Sequence, residues 1–141
     1  MRRLHFVTWF MALLVLSCAS FGSAPNVLEV KPDGEKKVAI NDKGLAKKIT
    51  FGNVISQPLE NGMKVQVMLQ NLTKRDVNFE YRFIWYDASG MEVSSQTAWQ
   101  PSVLGGMEEK GFTSTTPTAN AVDFKLMIRA PHGITDTSTT Y

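Results

Sequence analysis

The chain has 141 residues, 43% of them hydrophobic and 20% charged, the composition of one ordinary globular domain. Its formal charge is +2, but Arg2 and Arg3 account for the surplus, and the other 13 basic and 13 acidic residues cancel. A neutral domain lacks the basic excess expected of a nucleic-acid or anionic-surface binder, and a single cysteine excludes an intrachain disulfide.

Arg2 and Arg3 open the chain, and residues 6–16 (FVTWFMALLVL) are apolar apart from Thr8. The run is too short for a hydrocarbon core, which takes ~20 residues, and has the form of a signal-peptide core. Val15-Leu16-Ser17-Cys18 then resembles the lipobox of bacterial lipoproteins, with an aliphatic residue, a small residue just before the cysteine, and Leu16 as a less usual middle member. The resemblance implies removal of residues 1–17, a diacylglycerol on the Cys18 thiol, and anchoring to the periplasmic side of a membrane. Ala19, rather than Asp, follows the cysteine, which implies the outer membrane if the source is an enteric-type bacterium. A plain secretory signal cut after Ala24, leaving no lipid, is the competing reading.

Residues 19–25 (ASFGSAP) are small and breaker-rich and read as a flexible tether. In the next stretch Val27, Leu28 and Val30 can start a strand, residues 31–34 (KPDG) a turn, and residues 38–40 a return strand. That pattern is weak, so residues 18–47 are assigned to the lipidated cysteine, the tether and a loosely patterned segment. The sandwich domain is expected over 48–130, and 131–141 as a frayed tail.

From residue 48 the pattern is β. Residues 49–56 are a strand, and Asn61-Gly62 a turn. Residues 63–70 alternate, with Met63, Val65, Val67 and Leu69 on one face and Lys64, Gln66 and Gln70 on the other. Residues 71–76 (NLTKRD) read as a polar loop. Residues 77–87 place Val77, Phe79, Tyr81, Phe83 and Trp85 on one face and Asn78, Glu80, Arg82, Ile84 and Tyr86 on the other. Residues 87–90 (DASG) read as a type I turn ending in a left-handed glycine, leading into a hairpin strand over 91–98. Gly105-Gly106 marks a break, residues 110–115 a short strand, and residues 122–129 the last strand, with Val122, Phe124, Leu126 and Ile128 inward.

No stretch after Cys18 has a convincing helical period. Six or seven short strands with turn signals between them predict an all-β, antiparallel, immunoglobulin-like β-sandwich. The expected core is Val65, Val67, Leu69, Phe79, Tyr81, Phe83, Trp85, Phe124, Leu126 and Ile128.

Leu69-Gln70-Asn71, the run Tyr81-Arg82-Phe83-Ile84-Trp85-Tyr86-Asp87, Gly90-Met91-Glu92-Val93, Trp99-Gln100-Pro101 and Ala121-Val122-Asp123-Phe124 together resemble the YcfL family of small Gram-negative lipoproteins. The resemblance spans residues 49–129. It implies a periplasmic β-sandwich and no established activity, so it carries over no catalytic residues. Such lipoproteins are sometimes neighbours, by gene order, of an activator of peptidoglycan synthases, which suggests an envelope-assembly role.

The residue inventory argues against an enzyme. His5 leaves with the signal peptide, so His132, in a Pro-His-Gly turn, is the histidine that remains, and no nucleophile elbow is present. One histidine and an acylated cysteine make no zinc site of the usual kind, and no calcium-loop or phosphate-loop motif occurs. Glu108 and Glu109 are strand neighbours that would point to opposite faces. No cofactor, metal or small-molecule substrate is therefore expected.

The strand over 77–87 is apolar on its core face and also carries apolar residues on the other. Ile84 and Tyr86 flank Arg82 on the outer one, with Trp99 beyond the next turn, and Tyr, Trp and Arg are the residues enriched at interaction hot spots. Arg82, Ile84, Tyr86 and Trp99 are the candidate partner-binding residues, beside Cys18 as the lipidation site. The expected function is a non-enzymatic binding or adaptor lipoprotein with an envelope-protein partner. A structural lipoprotein that binds peptidoglycan or glycan directly is the alternative. The rival reading of the patch is that another segment covers it, or that a central strand simply carries more apolar residues.

Overall fold

Alternation of apolar and polar side chains turns most of this chain into antiparallel strands. In the computed structural model, residues 24–93 and 98–132 are described. Cys18, the tether up to residue 23 and the tail from residue 133 lie outside them. The elements are β1 (Asn26–Val30), β2 (Lys36–Ala39), a helical turn α1 (Lys43–Ala46), β3 (Ile49–Leu59), β4 (Gly62–Asn71), β5 (Val77–Asp87), β6 (Gln100–Leu104), β7 (Glu109–Thr115) and β8 (Ala121–Arg129).

Two antiparallel sheets form the expected β-sandwich, one in the order β2-β1-β8-β5-β6 and the other β3-β4-β7. The first sheet sends Leu28, Phe79, Phe83, Trp85, Leu104, Phe124, Leu126 and Ile128 inward, and the second sends Ile49, Val65, Val67, Leu69 and Phe112 to meet them. Every residue of the expected core is buried except Tyr81, which is half-buried. Its ring lies edge-on to Phe112 at 4.8 Å while its hydroxyl donates to Gln100 Oε1 at 2.8 Å, so one end packs and the other stays wet.

The sheets are also joined by a polar bond. Trp85 on β5 donates its indole N–H to Ser114 Oγ on β7 at 3.0 Å. Ser114→Ala strands that donor beside the core and is expected to cost about 1 kcal/mol. The denaturant midpoint reads it, and an unchanged midpoint would show that water replaces the hydroxyl.

The structure departs from the sequence reading in three places. First, the sandwich includes β1 and β2, which precede the expected boundary at residue 48. β1 lies between β2 and β8, pairing Leu28 with Leu126, so Leu28 and Val30 enter the core. Strands of five and four residues are too short to display a period, and a barely amphipathic strand is fixed by its neighbours instead.

Second, α1 is a single helical turn where no helix was expected. Asp42 caps it by accepting the N–H of Leu45 at 2.9 Å, and Leu45 is buried.

Third, the described residues just after the turn at residue 90 form an isolated bridge and not a strand. That turn forms as expected, with Gly90 at φ 83° donating to the Asp87 carbonyl at 2.9 Å. Beyond it the described contacts are a bridge between Tyr86 and Glu92 and backbone bonds from Asp87 N to Met91 O and from Val93 N to Trp85 O, and the rest of the expected strand, residues 94–97, lies outside the described set. The strand that pairs with β5 is β6, which sets Tyr81 opposite Gln100 and Val77 opposite Leu104. Pro101 hides β6 in the sequence. At a sheet edge, however, its missing N–H removes no ladder bond that the fold needs.

Candidate functional site

Strand pairing assembles the outer face of the five-stranded sheet. Residues opposite one another share a face, so Arg82, Met127, Val27 and Ala39 form one row across β5, β8, β1 and β2. Ile84, Lys125, Glu29 and Lys37 form the next. Together with Tyr86 these residues line a groove of about 460 Å³ whose floor is apolar and whose rim is charged.

Each expected partner-binding residue can now be placed. Arg82 and Trp99 meet, the guanidinium carbon lying 4.6 Å from the centre of the indole ring. Arg129, from β8, lies over the same ring at 4.1 Å. Guanidinium over an indole face is a favourable cation–π geometry, and it fixes Trp99 against the sheet although Trp99 lies just outside β6. Tyr86 stands two strand positions beyond Ile84's row, half-buried, with Lys125 Nζ 4.9 Å from its ring centre. Ile84 is on the outer face as expected but only 7% exposed, so it floors the groove under its longer neighbours.

The charges on this face are unevenly paired. Glu80 takes a bond from Arg129 Nε at 2.7 Å, and Glu29 stands 3.7 Å from Lys125 Nζ. Arg82 has no ion pair among the described residues, and its Nε is buried without a hydrogen-bond partner. A guanidinium is always charged and carries five N–H donors, so a buried Nε without an acceptor at a groove is an unmet polar demand. Farther along the same face, opposite Tyr86, burial pushes the Asp123 carboxyl above its ordinary range, Glu29 adds to the rise, and Asp123 Oδ1 is buried without a partner.

The sequence reading missed Lys37, Lys125, Met127 and Arg129. The alternation of β8 already puts Lys125, Met127 and Arg129 on the face opposite Phe124, Leu126 and Ile128. Lys37 had no such signal, because β2 is exposed throughout. His132 is exposed, and among the described residues no cluster of three His, Cys, Asp or Glu side chains could hold a metal ion. No helix among the described residues is long and apolar enough to cross a membrane.

Fold and face together define a small antiparallel β-sandwich domain with a grooved outer sheet. Residues 36–130 match the family model described as "Protein of unknown function (DUF1425)", and the chain belongs to that family. A crystal structure of a DUF1425 family member from Shewanella sp. pv-4 is 24% identical, with a TM-score of 0.55 over 59% of this chain and 78% of that one. The structure of Campylobacter jejuni cj0090 is 17% identical, with a TM-score of 0.47 over 56% and 83% of the two chains. No curated protein matches the chain.

Proposed function

We propose that this chain is a lipoprotein of the YcfL type, held on the periplasmic side of a membrane by acylated Cys18, and that its sandwich acts without enzymatic chemistry as a docking module for another envelope protein. The observation that carries the docking role is Arg82, a guanidinium with no ion pair among the described residues, beside an apolar-floored groove. A partner that places an acceptor on Arg82 and an apolar side chain over Ile84 and Met127 meets both demands at once. Buried arginine and aromatic anchors of this kind dominate binding energies.

The test is in-cell crosslinking from a photoreactive residue at Lys37 or Tyr86, read by mass spectrometry, with and without Arg82→Ala. A discrete protein crosslink is expected, and Arg82→Ala should weaken it at least ~30-fold, the effect of losing an anchor of about 2 kcal/mol. The melting temperature should hold within a few degrees, because Arg82→Ala leaves no buried ionic partner stranded among the described residues. A crosslink that Arg82→Ala leaves intact would remove the groove from the interface. Retention of the purified protein on bare cell-wall sacculi would instead favour direct glycan binding.

A further inference from the structure

Beyond Arg2 and Arg3 the basic and acidic residues are equal in number, but the fold sorts these charges to opposite ends. One end gathers α1, the turn between β4 and β5 (72–76) and the turn between β6 and β7 (105–108). Backbone bonds tie them together: Leu72 N to Lys48 O at 2.8 Å, Met107 N to Thr73 O at 2.7 Å, and Asn71 N to Glu108 O at 2.8 Å. Gly106 runs so close to the Lys74 carbonyl that a Cβ there would collide with it, and Met107 is held at φ 62°.

This fixed tip shows two apolar side chains to solvent, Leu72 at 46% exposure and Met107 at 57%. Around them Lys43, Lys47, Lys48, Lys74 and Arg75 are all exposed, and none has an ion pair among the described residues. The carboxylates here are Asp42, Asp76, Glu108 and Glu109, so the five cations exceed the anions by one. Asp42 and Glu108 are engaged by the backbone N–H groups of Leu45 at 2.9 Å and Gly105 at 2.6 Å. The opposite end carries Asp33, Glu35, Glu60, Asp87 and Glu92 on its turns, against Lys31 and Lys36.

The chain also enters the fold at the basic end. Asn26 starts β1 there, fully buried, with Oδ1 accepting the N–H groups of Asn41 at 2.8 Å and Asp42 at 2.7 Å. From Cys18 to Asn26 the extended chain spans at most about 28 Å. A lipid on Cys18 therefore attaches at this end and brings it within reach of a bilayer.

We propose that the tip formed by residues 72–76, 105–108 and α1 rests on an anionic phospholipid surface. Leu72 and Met107 enter the headgroup layer, the five cations lie over the phosphates, and the acidic end points away. The inference rests on the reading of Cys18 as acylated. Apolar side chains rimmed by Lys and Arg are what interfacial binding uses. Each cation near such a surface favours attachment about five-fold. The tether makes docking intramolecular, so even a weak contact is occupied.

The acylated full-length protein in vesicles of phosphatidylethanolamine with phosphatidylglycerol provides the test. An acylated Cys18 has no free thiol, so Leu72→Cys, Met107→Cys or Leu59→Cys each introduces a unique site for a nitroxide. Labels at 72 and 107 are expected to be shielded from an aqueous nickel relaxant and open to oxygen, while the label at 59, on the acidic end, stays open to nickel. Lys74→Glu combined with Arg75→Glu should return the first two to water. Labels at 72 and 107 as open to nickel as the one at 59, or shielding that survives charge reversal, would overturn the docking. Uptake of nitroxide by the protein with no introduced cysteine would reveal a free Cys18 thiol and overturn the anchor, with the docking that depends on it.

Discussion

Asn71→Ala is expected to lower the melting temperature by roughly 10–20 °C, the equivalent of about 3 kcal/mol in a domain of this size. Asn71 ends β4 fully buried, and one small side chain there satisfies a whole loop junction. Its Nδ2 donates to the carbonyls of Arg75 at 2.7 Å, Gly105 at 2.8 Å and Leu104 at 3.1 Å. Its Oδ1 accepts the N–H of Thr73 at 2.8 Å and the Thr73 hydroxyl at 2.9 Å. Alanine removes every one of these bonds and offers nothing in return, so several backbone groups are left dry and unpaired. Each such group costs about 1–3 kcal/mol. Asn71→Asp keeps the acceptor but aims a carboxylate at three carbonyl oxygens, and should be at least as severe. Thermal unfolding by circular dichroism measures both. A shift below about 3 °C for the alanine variant would mean that the two turns hold together without the staple.

Cys18→Ser is expected to abolish incorporation of a fatty-acid probe and to remove the acyl anchor entirely. Each buried methylene contributes about 0.8 kcal/mol, and two or more acyl chains hold a protein stably where one does not. A serine at this position offers no thiol for the diacylglycerol. The signal segment, too short to span a bilayer, is no substitute for it. Metabolic labelling followed by fractionation reads both consequences. Equal labelling of the two proteins would sink the lipoprotein reading. Because Cys18 is the chain's single cysteine, such labelling could not be ascribed to a second thiol.

The two predictions separate address from architecture. Asn71 acts on the same loop junction that carries Leu72 and Met107, so its loss should also disorder the tip proposed to meet the membrane. Arg82 and the groove lie on the outer sheet face, away from that junction. Variants of the groove should therefore leave membrane attachment intact, and variants of the tip should leave the groove intact.

The amino-acid sequence by itself determined the two-sheet β class and most of the core. Both are written in local order. A strand with one buried face repeats every second residue, so β4, β5 and β8 announce themselves. The tertiary structure decided what depends on distant partners. Asn71 reads as the first residue of a polar loop until Leu104, Gly105 and Arg75 are brought around it. Strand β6, with its proline and five residues, exists because β5 offers it a free edge. Lys37 and Arg129 join the outer face of Arg82 only through the order β2-β1-β8-β5, which no local pattern encodes. The separation of charge is of the same kind. A count of Lys, Arg, Asp and Glu over residues 18–141 gives zero, and only the folding of the turns to opposite ends makes one tip basic and the other acidic. Period and composition are local sums, whereas satisfaction of buried polar groups and the direction of a surface's field are properties of the assembled neighbours.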